Sequence, residues 1–336
     1  MSYERTSTGY GKPKRGLPKG YVTPEKEKIH AEILANSVIK KFKHLSKKFK
    51  REQIDCFRLY DWDSPDIRVV VDWYAGHLVV AEYEREQTGP DYLPHMAQAV
   101  AAALQVAPEK VHIKKRHTNN VQGPRYTKMD SRNERFQVNE RDLRLWINLS
   151  DFLDTGLFSD HRNTRVIIRE EAKDQDFLNL FAYTGVVTCA AAAGGAKSTT
   201  TVDRNETYLK WAHDNLVLNG LWGPQHDIVQ ADALEFLAKS CRMKKKYTMA
   251  FVDPPSFFKD EKAEVAFDIN RDHPMLISKV IEIMQPGSHL YFSTNHQRFE
   301  SRFYGIPAKS IEKLTPVTIP EDYRNKNVHN CWKITV

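Results

Sequence analysis

Three aspartates each close a short apolar run: Asp203 in "TTTVD", Asp232 in "IVQAD" and Asp253 in "MAFVD". Such runs read as buried strands, and an acid at the carboxyl end of a strand stands where open α/β sheets bind ligands. Any one of them alone is accounted for as a helix N-cap. Three consecutive strands with the same ending line one edge with carboxylates, which suits hydroxyl donors, amino donors and a cationic centre. Asp253 carries more chemistry, because it opens "DPPSF" at residues 253–257. Proline has no ladder donor, so Pro254 and Pro255 stop the strand and stiffen the turn. Asp253 is then a fixed acceptor, and Phe257 offers a stacking face worth ~1–3 kcal/mol to a nucleobase. The plainer alternative is a strand terminator followed by a core phenylalanine.

The cofactor class follows from the first turn of the same sheet. A dinucleotide fold wants GxGxxG after its first strand, so that backbone can approach a pyrophosphate. Here the strand "DFLNL", with Asn179, runs into Phe181-Ala182-Tyr183-Thr184-Gly185, a turn with one glycine. No Walker loop is present either, so a cofactor without phosphates is favoured. Asp203 suits its ribose hydroxyls and Asp232 its adenine edge, and the pattern fits S-adenosylmethionine. The candidate cradle is Asn179, Phe181, Tyr183, Thr184 and Gly185 with those two acids.

These residues need a scaffold. From about residue 151 strands and helices alternate: strands at 176–180, 197–203, 226–232, 247–253 and 289–295, with helices between. The helix before the last strand is expected over "HPMLISKVIEIMQPG", starting at His273. This order predicts an α/β, Rossmann-like sheet, mostly parallel with helices on both faces, over residues 151–336. Residues 25–150 predict a smaller α/β unit with a basic helix suited to RNA contact, and residues 1–24 a flexible basic tail. In the helix, Leu34, Val38, Phe42, Leu45 and Phe49 step by fours and threes, so one stripe is apolar and lysines fill the rest. The polar stretch from His117 to Arg135 reads as a long loop.

The chain has 336 residues and a net charge of +7, which points toward a polyanionic partner. Its four cysteines are scattered without a CxxC, so a reducing cytoplasm is expected and a metal site is not. No apolar run reaches membrane-span length, and the first twenty residues lack a secretory h-region.

The second unit resembles class I methyltransferases, and most closely the guanine-N7 methyltransferase domain that acts on bacterial 23S ribosomal RNA. The matching stretches are "DTGLFSDHR", "DFLNLFAYTG", "GGAKSTTTVD", "QADALEFL", "FVDPPSF", "AFDINRDH" and "NVHNCWKIT". The resemblance runs from about residue 27 to the end and implies an enzyme that methylates ribosomal RNA. It implies that Phe158, Asp160 and Arg162 approach the cofactor. Asp268, Arg271 and His273 then hold RNA or brace the DPP turn, and Asn295 is a further base contact. Lys114, Lys115 and Arg116 extend the basic surface, and Arg324 with His329 and Asn330 offers phosphate contacts. That domain is usually half of a two-headed enzyme, so a separate protein replacing the other half is a candidate partner. Guanine N7 has a free lone pair and needs positioning rather than a base. Two other readings stay open: a cytosine-C5 ribosomal RNA methyltransferase, and a non-catalytic RNA-binding or assembly factor.

Overall fold

The structure, a computed structural model, describes residues 18–83, 85–116, 132, 134–258 and 266–336. The expected tail, apart from residues 18–24, and most of the expected polar loop lie outside the described residues.

The chain opens with α1 (Pro24–Arg51), capped by Thr23. Leu34, Val38, Leu45 and Phe49 are its buried stripe, and Phe42 packs partly buried against Phe57 and Trp73. It lies with α2 (Tyr92–Leu104) over a four-stranded sheet. Strands β1 (Cys56–Asp61), β2 (Val69–Tyr74) and β3 (His77–Tyr83) pair antiparallel, and β4 (Val111–Arg116) adds parallel to β3 across α2. A hairpin of β5 (Phe136–Glu140) and β6 (Leu143–Ile147) then docks between this unit and the second sheet. It is held there by Asn215 Oδ1 on the Trp146 N–H and by Arg135 on Asp214.

The second unit runs α3 (Arg162–Glu171), β7 (Asp176–Leu180), α4 (Val186–Ala193), β8 (Ser198–Asp203), α5 (Glu206–Leu218), β9 (His226–Gln230), α6 (Ala233–Arg242) and β10 (Tyr247–Val252). A two-residue pair, β11 (Phe257–Phe258) with β12 (Phe267–Asp268), precedes α7 (Ile269–Ile281) and β13 (Met284–Thr294). Last come β14 (Ser310–Lys313), the short α8 (Thr315–Thr318) and β15 (Asn330–Thr335). The sheet order is β14-β15-β13-β10-β7-β8-β9, with β15 antiparallel to both neighbours and the five strands from β13 to β9 parallel. The α/β, Rossmann-like expectation holds. Leu178, Leu180, Ala250 and Val252 face α6 and α7, whereas Phe177, Met249 and Phe251 face α3 and α4, as a period of two requires.

Two boundaries differ from the sequence reading. α7 begins at Ile269, not His273, because Asp268 caps it through the Asn270 N–H. β13 begins at Met284, with an irregularity between Tyr247 and Met249 on its partner, so "MQPG" belongs to the strand. Among the described residues, no helix is long and apolar enough to cross a membrane.

Candidate active site

β7 is the first strand of the sheet; the chain leaves it toward β8 and β9, then returns to β10 on its other side. Such a reversal opens a crevice at the carboxyl ends of the two middle strands. The turn that follows β7 is unusual: Phe181 and Tyr183 both have positive φ, at 57° and 50°, and Gly185 has 69°. Positive φ strains residues with a side chain, and here neighbouring groups hold the turn in place. The Tyr183 N–H donates to Asp203 Oδ2 at 2.9 Å, and its hydroxyl accepts from the Gly156 N–H at 3.0 Å. Thr184 Oγ1 donates to the Gly156 carbonyl at 2.6 Å. A Cβ on Gly185 would sit 2.5 Å from Ala212 Cβ, so only glycine lets α4 start this close to α5. Phe158, 5.1 Å from the Tyr183 ring, completes an aromatic rim.

Beside this turn the acids keep capacity in reserve. Asp203 accepts the N–H groups of Tyr183 and Asn205, one on each oxygen, and burial raises its pKa. Asp232 caps α6 with Oδ1, accepting from Leu234 and Glu235, but its buried Oδ2 has no hydrogen bond; the nearest cation, Arg204, is 3.9 Å away. The capping and the ligand-facing readings of this residue are therefore compatible, one per oxygen. The buried Asp203 at the end of β8 and the unbonded oxygen of Asp232 after β9, with an aromatic rim and no phosphate loop, fit a donor-rich nucleoside such as that of S-adenosylmethionine.

Asp253 ends β10 with its side chain 26% exposed, and Oδ2 lies 3.5 Å from His161 Nε2. Burial, then the charge of Asp160, push its pKa up to about 6. The turn behind it is fixed at both ends. The Ser256 carbonyl accepts from the Ile269 N–H at 3.1 Å, and the Ser256 hydroxyl donates to Asn295 Oδ1 at 3.4 Å. Pro254 is buried and Pro255 half-buried. Phe257 is 55% exposed, with the edge of His296 beside it, while Phe258 stacks on Phe267. A rigid acid next to an open aromatic face is a shelf rather than a core element.

Several expected contacts are corrected by their surroundings. Arg162 does not approach the cofactor: it is 2% exposed, pairs with Asp322 at 2.9 Å and donates to the Cys56 carbonyl at 2.7 Å. Asn179 is buried under α4, its amide donating to Thr188 Oγ1, although its Oδ1 has no partner. Asp160 is buried and bonds His329 Nδ1 at 3.0 Å. His273 is a core residue, bonded to the Ile269 carbonyl and the Arg302 N–H and surrounded by Phe292, Phe299 and Phe303. Lys114 is buried on the carbonyls of Phe152 and Leu153, and burial lowers its pKa to about 8. His329 is fully buried and offers nothing to a phosphate.

The remaining residues stay at the surface or near it. Asp268 is a helix cap, and Arg271 is exposed and pairs with Asp272. Lys115 is exposed, Arg116 pairs with Asp154 at 3.3 Å, and Arg324 bonds the Trp62 carbonyl. Asn295 is exposed beside Ser256, as a base contact requires. His161 had no assigned role, although it lies inside "DTGLFSDHR". Among the described residues one group, Asp160, His161 and His329, brings ligand atoms within 4.8 Å of one another.

A model of the S-adenosylmethionine-dependent methyltransferase family matches residues 58–306. The ribosomal RNA large subunit methyltransferases K/L of Aeromonas hydrophila and Vibrio cholerae are each 40% identical over 317 residues. The alignments cover 92% of this chain and 44% of each relative, so the chain spans less than half the length of these relatives. The fold is that of SMU.776 complexed with SAH (TM-score 0.69, 23% identity, 90% of this chain and 82% of that one). It is shared by a SAM-dependent methyltransferase from Agrobacterium tumefaciens (TM-score 0.59, 18% identity, 84% and 90%).

Proposed function

The chain belongs to the S-adenosylmethionine-dependent methyltransferase family, and within it we propose an enzyme that methylates guanine N7 in large-subunit ribosomal RNA. The observation that carries this reading is the DPPSF shelf: a fixed carboxylate and an exposed aromatic ring at the mouth of the crevice. The bound cofactor supplies an electrophilic methyl group on a sulfonium. Asp203 takes its ribose hydroxyls, the free oxygen of Asp232 takes the donor of its adenine edge, and the turn 181–185 closes around its body. Asp253 accepts from the donors on the guanine Watson–Crick edge, and Phe257 stacks on the base. Pro254 and Pro255 keep acid and ring in one geometry, so the N7 lone pair is aimed without prior deprotonation. A base inside a duplex must first be unstacked, at a cost of about a few kcal/mol. The 40% identity to the K/L relatives supports ribosomal RNA as the substrate.

Cytosine-C5 transfer requires a cysteine nucleophile, and the thiols are poorly placed for it. Cys56, Cys189 and Cys331 are buried, and burial raises the pKa of each. Cys241 is exposed but sits eight residues into α6, ~12 Å along the helix from the crevice edge.

The test is incubation with radiolabelled S-adenosylmethionine and deproteinised ribosomal RNA from cells lacking the gene, followed by digestion to nucleosides. Label in N7-methylguanosine that disappears in Asp253→Ala is the expected result. Label in 5-methylcytidine overturns the choice of chemistry.

A further inference from the structure

Buried behind Asp253 are side chains that the proposed transfer does not use. His161 directs Nε2 between two carboxylates, 3.5 Å from Asp253 Oδ2 and 3.8 Å from Asp160 Oδ2. Its Nδ1 lies 3.4 Å from the Thr164 hydroxyl. The ring stacks on His329, with centroids 4.2 Å apart and planes at 12°, and meets Phe251 edge-on at 5.8 Å. His329 is itself fixed at both nitrogens, by Asp160 Oδ2 at 3.0 Å and by Thr318 Oγ1 at 3.0 Å. Asp160 and His329 thus satisfy each other, while His161 has one direction left to donate. A hydroxyl donating to Nδ1 leaves the ring hydrogen on Nε2, facing Asp253.

We propose that His161 is a positioning residue for the methyl transfer: its Nε2–H steadies Asp253 as a carboxylate with one oxygen free for the base, and the His329–Asp160 pair holds the ring in place. The inference rests on the reading of Asp253 as the base-binding acid. The groups facing Asp253 are Asp160 and His161 from the segment before α3, the Ser293 hydroxyl of β13, and His329 and Cys331 from β15 and its lead-in. Burial, followed by His329, pushes the pKa of His161 down to about 3, so it donates as a neutral ring at ordinary pH. Without that donor, Asp253 would lose one group that favours its carboxylate against the charge of Asp160 and would take up a proton more readily.

Two variants separate the parts. His161→Gln keeps an N–H donor, and His161→Met fills the space without one. In the full chain labelled with carboxyl-¹³C aspartate, the Asp253 resonance is titrated without RNA, assigned by its loss in Asp253→Asn. His161→Met should move the titration up by about one pH unit, and His161→Gln should stay near wild type. The acid limb of kcat/KM for RNA methylation should move in step, with SAH affinity in a calorimeter unchanged. If His161→Met does not fold, Thr164→Val, which removes the hydroxyl on Nδ1, should give a smaller shift in the same direction. Superposed titrations in all variants overturn the proposal. So does stoichiometric zinc in the purified protein, which would make the cluster a metal site. A shifted Asp253 titration in a protein that methylates no RNA keeps the role of His161 and overturns the proposed reaction. RNA methylation without a shift does the reverse.

Discussion

Along the seam between the two sheets, Glu140 and Asp322 are taken up by arginines; along the crevice, Asp203, Asp232 and Asp253 are not. Glu140 accepts both arms of Arg165 at 2.6 and 2.7 Å, and Asp322 accepts from Arg162 and from the Arg58 N–H. All four side chains are buried. Burial opposes the charge of Glu140, yet Arg165 wins and its pKa is lowered. At the crevice the balance runs the other way, and burial raises the pKa of both Asp203 and Asp253. Carboxylates therefore do two jobs here, told apart by whether an arginine outweighs their burial. A desolvated acid without a close cationic partner suits a ligand's donors; one engaged by arginine holds the fold.

The sharpest way to break this contrast is in the seam. Asp322→Ala takes the nearer carboxylate from the buried Arg162, leaving Glu140 at 3.8 Å, and should cost ~3–5 kcal/mol, read in urea unfolding. At the crevice, Asp253→Ala should lower kcat/KM about 10²-fold, the scale for losing one polar group at a reacting centre, with cofactor affinity retained. Its stability should change in the opposite sense to the seam variant. A carboxyl raised from 3.8 to about 6 contributes stability below its unfolded pKa and loses it as pH rises through 6. Asp253→Asn should thus be more stable than wild type at pH 8 by ~1–3 kcal/mol, and not at pH 4. Phe257→Ala should weaken RNA binding by ~1–2 kcal/mol without changing the melting temperature, because the ring packs on little else. The finest test is Asp232→Asn. Asparagine caps a helix as well as aspartate does, so stability should hold. The cofactor affinity should fall by roughly tenfold, because an amino group can replace the one unbonded oxygen.

The contrast also marks what could be read from the chain alone. Strand-end acids, the one-glycine turn and the proline pair announce themselves locally, because each depends on neighbours a few residues away. The apolar stripe of α1 was equally legible. Arg162, His273, Lys114 and His329 were read as outward-facing, and all four are buried. Their partners sit 160, four and 29, 38 and 39, and 169 and 11 positions away. A polar side chain is buried only when distant groups satisfy it, and no periodicity carries that information. For His161 the local signal was present, a histidine between Asp160 and Arg162 in the "DHR" stretch, but its target Asp253 arrives 92 positions later.

β15 lies between β13 and β14, although β14 is made first. On a growing chain, β14 has no strand to pair with until residues 330–335 appear, and β13 keeps a bare edge. His329 also arrives at this point, so Asp160 waits for its imidazole while Asp253 is already in place. Maturation of the crevice is thereby tied to the latest-made strand of the sheet. A nascent molecule stalled before it carries a foldable α/β layer with a sticky flank and an unbraced acid, a species suited to chaperone capture or to aggregation.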